Sequence, residues 1–234
     1  MCWGAGMTAA MAGAGVVAAV VTLRRGDPPA VPLTLSYFAA MEALQFGGYM
    51  TLGRCGTPAN ELVTFLSMLH IVFQPFVINA FAMTLASAPV APALRMTVWG
   101  LCGASSVVML LQLYPFAWAG ACTPGATLCG APLCTAPGDW HIAWNIPYNG
   151  LLAPVDVFGW GFPTYMLAAF GLPLLYGAWR FAAFHALAGP ILAGQLTTNP
   201  NEVPAIWCLF SIGVLLIGLS PWCRRQVSGR PAAA

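Results

Sequence analysis

The chain has 234 residues, of which 59% are hydrophobic and only 6% charged, with a mean hydropathy of +0.79. Soluble domains carry about 25% charged residues, so this composition excludes an ordinary soluble domain and predicts an integral membrane protein. The net charge of +2 comes from eight arginines and six acids with no lysine; no basic run points to nucleic acid, and a retinal Schiff base, which needs a lysine amine, is excluded.

No basic residues precede the first apolar run, whereas Arg24 and Arg25 follow it. A cleaved signal peptide has the opposite charge order, so residues 5–23 read as a retained helix with its N-terminus outside. Gly13 and Gly15 in that run suit close helix packing. A second span covers about 31–53 and a third about 60–85, joined through Cys55, Gly56 and Pro58. The fourth, about 95–118, ends in Tyr114, Phe116 and Trp118, as suits a helix reaching the headgroups.

The long stretch 119–160 that follows holds Cys122, Cys129 and Cys134 among Gly, Pro and Thr. In it Trp140, Trp144 and Tyr148 recur every fourth residue, which predicts one aromatic stripe on a short helix, lying at the interface or dipping into the bundle as a lid. Further spans are read at 161–180, 181–196 and 203–222, the sixth being short and broken by Gly189-Pro190. The expected fold is therefore all-α, a bundle of seven transmembrane helices with a cytoplasmic C-terminus. On this count Arg24, Arg25, Arg95, Arg180, Arg224, Arg225 and Arg230 fall inside and only Arg54 outside, in keeping with the positive-inside rule.

Cysteine placement fits the same orientation. Cys2, Cys55, Cys122, Cys129 and Cys134 face the oxidising side, and at least one disulfide is expected among the last four, whose spacings fit no common zinc pattern. Cys2, if exposed by removal of Met1, has the chemistry of an N-terminal nucleophile, though an ordinary thiol or disulfide role is the simpler reading.

Polar residues interrupt spans two and three. Glu42 and His70 each lie about ten residues from their helix starts, so a rise of about 1.5 Å per residue puts both near mid-bilayer. Glu42, Gln45 and Tyr49 share one helix face by spacing, and so do Ser67, His70 and Gln74. A short turn between antiparallel helices is expected to bring these faces together, with Pro75 kinking the helix beside them and Gln112 and Ser105 as a third wall. Amides inside a bundle most often make interhelical hydrogen bonds, and that is the first reading for Gln45, Asn79 and Gln112. A carboxyl at mid-depth is either protonated and structural or a proton or metal site, and its cost favours the second reading. His141 fits a lid or a plain interface equally well, and His185 an interfacial position.

The opening Cys2-Trp3, the run Met41-Glu42-Ala43-Leu44-Gln45, His70-Ile71-Val72-Phe73-Gln74-Pro75-Phe76 and Asp139-Trp140-His141-Ile142 resemble a family of uncharacterised bacterial multipass membrane proteins, a domain of unknown function. The similarity covers nearly the whole chain and departs at Gly4, where the family opening has Ser. It implies a bacterial inner-membrane location and no activity.

Three functions stay open. In an intramembrane enzyme, Glu42 and His70 would act as acid and base or, with His141, hold zinc or iron as a water-activating centre against a lipid-like or small apolar substrate. Gln45, Tyr49, Gln74, Asn79 and Gln112 would then line the substrate site. In a proton-coupled transporter, Glu42 and His70 would titrate between helices broken at Pro75, Pro173 and Gly189-Pro190. A non-catalytic membrane subunit would bind its partner through the cysteine-rich segment. Membrane lipid is the expected neighbour in all three.

Overall fold

A computed structural model describes residues 4–209 and 212–228; Cys2 and Arg230 lie outside these. Apolar runs opened by proline at the first helical turn, where its missing N–H is harmless, give α3 (Pro58–Leu85) and α4 (Pro92–Leu113). They follow α1 (Ala5–Arg24) and α2 (Ala30–Met50) in an up-and-down arrangement. At the α1–α2 contact Gly15 lies so close to Ala39 that a Cβ on it would come within 2.7 Å of the Ala39 Cβ, whereas Gly13 has nothing within 4 Å.

Among the described residues three helices, α1, α3 and α4, are long and apolar enough to cross a membrane. That is a smaller set than the seven spans expected. The second, α2, has 21 residues, enough to cross, but Tyr37, Glu42, Gln45 and Tyr49 dilute its apolar character. The fifth expected span is α5 (Pro163–Leu175), shortened and interrupted by a π-helical turn at Leu167–Gly171. The sixth, α6 (residues 179–196), contains another at Leu187–Ile191, with non-helical backbone at Gly189 before Pro190. The seventh comprises α7 (Val203–Leu209) and α8 (Ile212–Leu219), after which α9 (Pro221–Val227) turns by 108°.

The bundle carries large apolar side chains on its perimeter, among them Val17, Leu23, Met96 and Leu167, each more than 60% exposed. Its interior holds Glu42, Gln45, Asn60, Gln74, Asn79 and Gln112. Such a polarity pattern suits hydrocarbon surroundings rather than water.

At one end Asp27 sits between Arg25 (2.7 Å) and Arg224 (3.0 Å). Both guanidinium groups also donate to the Gly218 carbonyl, at the C-terminal end of α8 where cations are favoured. Partial burial works against ionisation of Asp27, but the hydrogen bonds and charges of Arg224 and Arg25 outweigh it and hold the carboxyl below its ordinary range.

At the opposite end, segment 119–160 forms a lid built on an antiparallel hairpin, β1 (Cys134–Pro137) and β2 (Ile142–Asn145). This corrects the helix expected for the aromatic stripe. A four-residue repeat fits a strand as well as a helix, and the even positions Trp140, Ile142, Trp144, Ile146 and Tyr148 alternate with other residues at a period of two. Trp144 and Tyr148 are buried, and Trp140 half-buried.

The lid is fixed to the bundle covalently and by hydrogen bonds. The Cys55–Cys134 disulfide joins the α2–α3 turn to β1, and Cys122–Cys129 closes a loop within the lid, so all four expected cysteines are paired. Asn60 on α3 substitutes for a neighbouring strand: its Nδ2 donates to the Thr135 carbonyl (2.9 Å) and its Oδ1 accepts from the Thr135 N–H (3.0 Å). Asn149 does the same service for α4, donating to the Leu111 and Tyr114 carbonyls at the helix end.

Candidate functional site

On the polar face of α2, Gln45 and Tyr49 meet the lid hairpin and α7. Gln45 Oε1 accepts from His141 Nε2 (2.9 Å), while Gln45 Nε2 reaches the Ala205 carbonyl (3.4 Å). With the proton on Nε2, His141 Nδ1 is the acceptor for the Tyr49 hydroxyl (2.5 Å). Cys208 of α7 also lies within hydrogen-bonding reach of Gln45 and within electrostatic reach of Glu42. Glu42 is 2% exposed.

His141 is fully buried, and burial pushes its pKa down to about 3, so the ring is neutral at physiological pH with both nitrogens engaged. Among the described residues no three His, Cys, Asp or Glu side chains gather as a metal-binding group. Of the set expected for zinc or iron, Glu42, His70 and His141, the imidazole of His141 is engaged by Gln45 and Tyr49.

Glu202, to which the sequence drew no attention, holds the hairpin turn. It is fully buried. One oxygen accepts the backbone N–H of Trp140 (2.6 Å) and that of His141; the other accepts Asp139 N–H (3.2 Å) and the Thr197 hydroxyl (2.6 Å). These four donors satisfy the buried carboxyl, which here sets the backbone from which His141 projects. The only sequence signal was the turn Thr197-Thr198-Asn199-Pro200-Asn201-Glu202 before an apolar run, which marks a helix start and leaves the partner unnamed.

The polar residues of α3 face other neighbours. His70 stacks on Tyr37 with ring centroids 3.7 Å apart, Tyr37 donates to the His70 carbonyl (2.6 Å), and His70 Nε2 is buried with no partner among the described residues. Gln74 Oε1 accepts from the Tyr165 hydroxyl on α5 (2.8 Å). Asn79 accepts from Tyr176 (2.7 Å) and donates to the Ala168 carbonyl (2.9 Å), so it supports the π-helical turn of α5. Gln112 donates to the Gly161 carbonyl (2.9 Å) and anchors the end of the lid. Ser105 lines a separate groove between α4 and α5. His185 is buried in α6, not interfacial, and its Nε2 accepts from Trp207 (3.2 Å).

Beneath the lid, between α3, α5 and α7, lies a cavity of about 170 Å³. Leu128, Trp160, Phe162, Tyr165 and Trp207 make its walls predominantly apolar and aromatic, with Gln74 and Cys208 as polar points. Leu128 adopts a left-handed backbone (φ 67°) at this wall, a conformation costing a side-chain-bearing residue about 1–2 kcal/mol. Its carbonyl is pinned by Ile146 N–H (2.8 Å) and the Cys122–Cys129 disulfide follows at once. A groove of about 510 Å³ runs between α5 and α6 on the apolar perimeter, and Trp160, Met166 and Pro190 line both spaces.

Glycine at position 189 shapes this wall, since a Cβ there would lie 2.3 Å from Trp207 Nε1. The absence of a side chain at position 189 thus leaves room for the indole.

Residues 6–228 match the model of a family of unknown function. No curated protein and no solved structure matches the chain.

Proposed function

We propose that this chain, which belongs to the family of unknown function DUF5765, is a multipass membrane protein that takes a lipid-like or small apolar molecule from the bilayer into the cavity under its lid. The carrying observation is the sharing of Trp160, Met166 and Pro190 between the cavity and the perimeter groove. An apolar pocket with a few convergent polar groups is the usual form of a small-molecule site. Its lateral mouth faces what would be hydrocarbon.

In this reading α2, α5, α6 and α7–α8 cross the membrane together with α1, α3 and α4, giving seven passes. Gln45 and Tyr49 of α2 are engaged by the hairpin, and Ala168, Ala169 and Gly189 in the breaks of α5 and α6 are buried, where irregular backbone is tolerated at membrane depth. Arg25, Arg180 and Arg224 gather at one end of the bundle and the disulfides at the other. That polarity supports a cytoplasmic arginine end, an outer lid and residence in a bacterial inner membrane.

The test is photolabelling of the full chain in lipid nanodiscs with a long-chain alkane carrying a diazirine. Labelling of peptides containing Leu128, Tyr165 and Trp207, competed by unlabelled alkane, is expected. Labelling confined to the perimeter residues Leu174 and Ile191 would overturn the reading.

An acid/base enzyme acting on the same ligand is the second reading. Cys208 favours it, because this thiol lines the cavity and also lies near Glu42 and Gln45. Glu42→Gln would then abolish turnover of the bound molecule while leaving alkane labelling intact, and unchanged turnover would remove the acid/base role.

A further inference from the structure

Below the main cavity lies a smaller one of about 20 Å³, lined in part by Gln74, His185, Gly189, Trp207 and Cys208. Gln74, Trp207 and Cys208 border both spaces. The smaller holds about one water-sized group. Its polar lining is uncharged among the described residues, so it offers no counter-ion to a phosphate or carboxylate.

Hydrogen-bond bookkeeping fixes what the lining offers. An indole N–H only donates, so the Trp207 contact makes His185 Nε2 the acceptor and leaves the proton on Nδ1. That Nδ1 is buried and has no partner among the described residues, and His185 is 7% exposed. Gln74 gives its oxygen to Tyr165, which leaves its amide N–H groups as donors. Gln74 and His185 thus both line one small space, each with a donor that has no protein acceptor among the described residues. A buried donor left unmade costs about 1–3 kcal/mol.

We infer that the ligand of the apolar cavity carries an uncharged oxygen acceptor, a carbonyl at the end of a hydrocarbon chain, which seats between the Gln74 amide and His185 Nδ1 while the chain occupies the aromatic cavity and the groove. This rests on the cavity reading above and adds the class of head group. A neutral carbonyl also enters from the membrane at less cost than a charged head.

The test compares a long-chain methyl ketone with the alkane of equal carbon number, each as competitor of alkane-diazirine labelling in nanodiscs. The ketone is expected to compete about tenfold better, the size of effect two modest hydrogen bonds give. Gln74→Met removes the amide donor at similar length, and His185→Phe keeps an aromatic ring while removing Nδ1–H. Each removes one of the two donors and is expected to lower the ketone-to-alkane ratio to about three. Equal competition in the native protein, or a ratio unchanged in both variants, would overturn the inference and leave an internal water as the donors' partner. Absence of cavity labelling by any probe would overturn the cavity reading itself.

Discussion

Replacing Glu202 with Gln tests how the lid is held. The substitution preserves length and shape but turns one of two acceptor oxygens into an NH2 group. Four donors converge on the native carboxylate, the backbone N–H groups of Asp139, Trp140 and His141 and the Thr197 hydroxyl. An amide oxygen can serve two of them, and its NH2 group faces donors instead of acceptors. At least one buried N–H is then left unpaired, at about 1–3 kcal/mol, and the charge-assisted bonds weaken to ordinary ones. A loss of about 3 kcal/mol is expected, or about 6–12 °C in the thermal midpoint for a chain of this size. The assay is thermal unfolding of the purified protein in detergent, with proteolysis of segment 119–160 as a local probe. A midpoint within about 2 °C of the native one and an equally protected hairpin would refute the account of Glu202 as the organiser of the turn.

Further expectations follow from the same geometry. Serine at both Cys55 and Cys134 removes a cross-link spanning 79 residues, and the chain-entropy relation gives about 4 kcal/mol of lost stability; an unchanged unfolding midpoint would contradict it. Burial holds folded His141 at about 3, below its ordinary 6.5, so the unfolded chain takes up the proton first. Its contribution is intact above about pH 6.5 and fades as pH falls toward 3, reaching a loss of about 2 kcal/mol at pH 5. The stability difference between native protein and His141→Gln should shrink accordingly between pH 7 and pH 5, with Tyr49, Glu42 and Glu202 as the other ionisable neighbours; a pH-independent difference would count against a neutral buried imidazole. Gly189→Ala drives a methyl into the Trp207 indole and should cost about 1–3 kcal/mol and lower alkane labelling, while Gly194→Ala, with nothing within 4 Å, should do neither.

Composition alone made the membrane character legible, because apolar runs with so few charges have no soluble alternative, and family membership agrees with the resemblance seen in the motifs. The disulfide face was legible too, since Cys55, Cys122, Cys129 and Cys134 share one end of the chain's up-and-down path. The interior partners were not. Spacing placed Glu42, Gln45 and Tyr49 on one face of α2, but helical periodicity says nothing about which neighbour that face meets, and the hairpin inserted His141 where α3 was expected. The hairpin itself was hidden because a repeat of four satisfies both helix and strand. Hydropathy windows sum over whole runs, so they also missed the π-helical turns of α5 and α6. Glu202 escaped because its partners are backbone groups about sixty residues away, and a main-chain N–H leaves no mark in a sequence.

The ties of the lid also impose an order on its synthesis. Its β1 strand takes Asn60 and Cys55 from chain already made, but the turn after it takes Glu202 from chain still inside the ribosome and translocon when Trp140 emerges. A nascent protein can therefore close Cys55–Cys134 early and hold the segment on a covalent tether. The final orientation of His141 must wait until the segment carrying Glu202 has been made, so truncation after α6 would release a lid that is attached but not set.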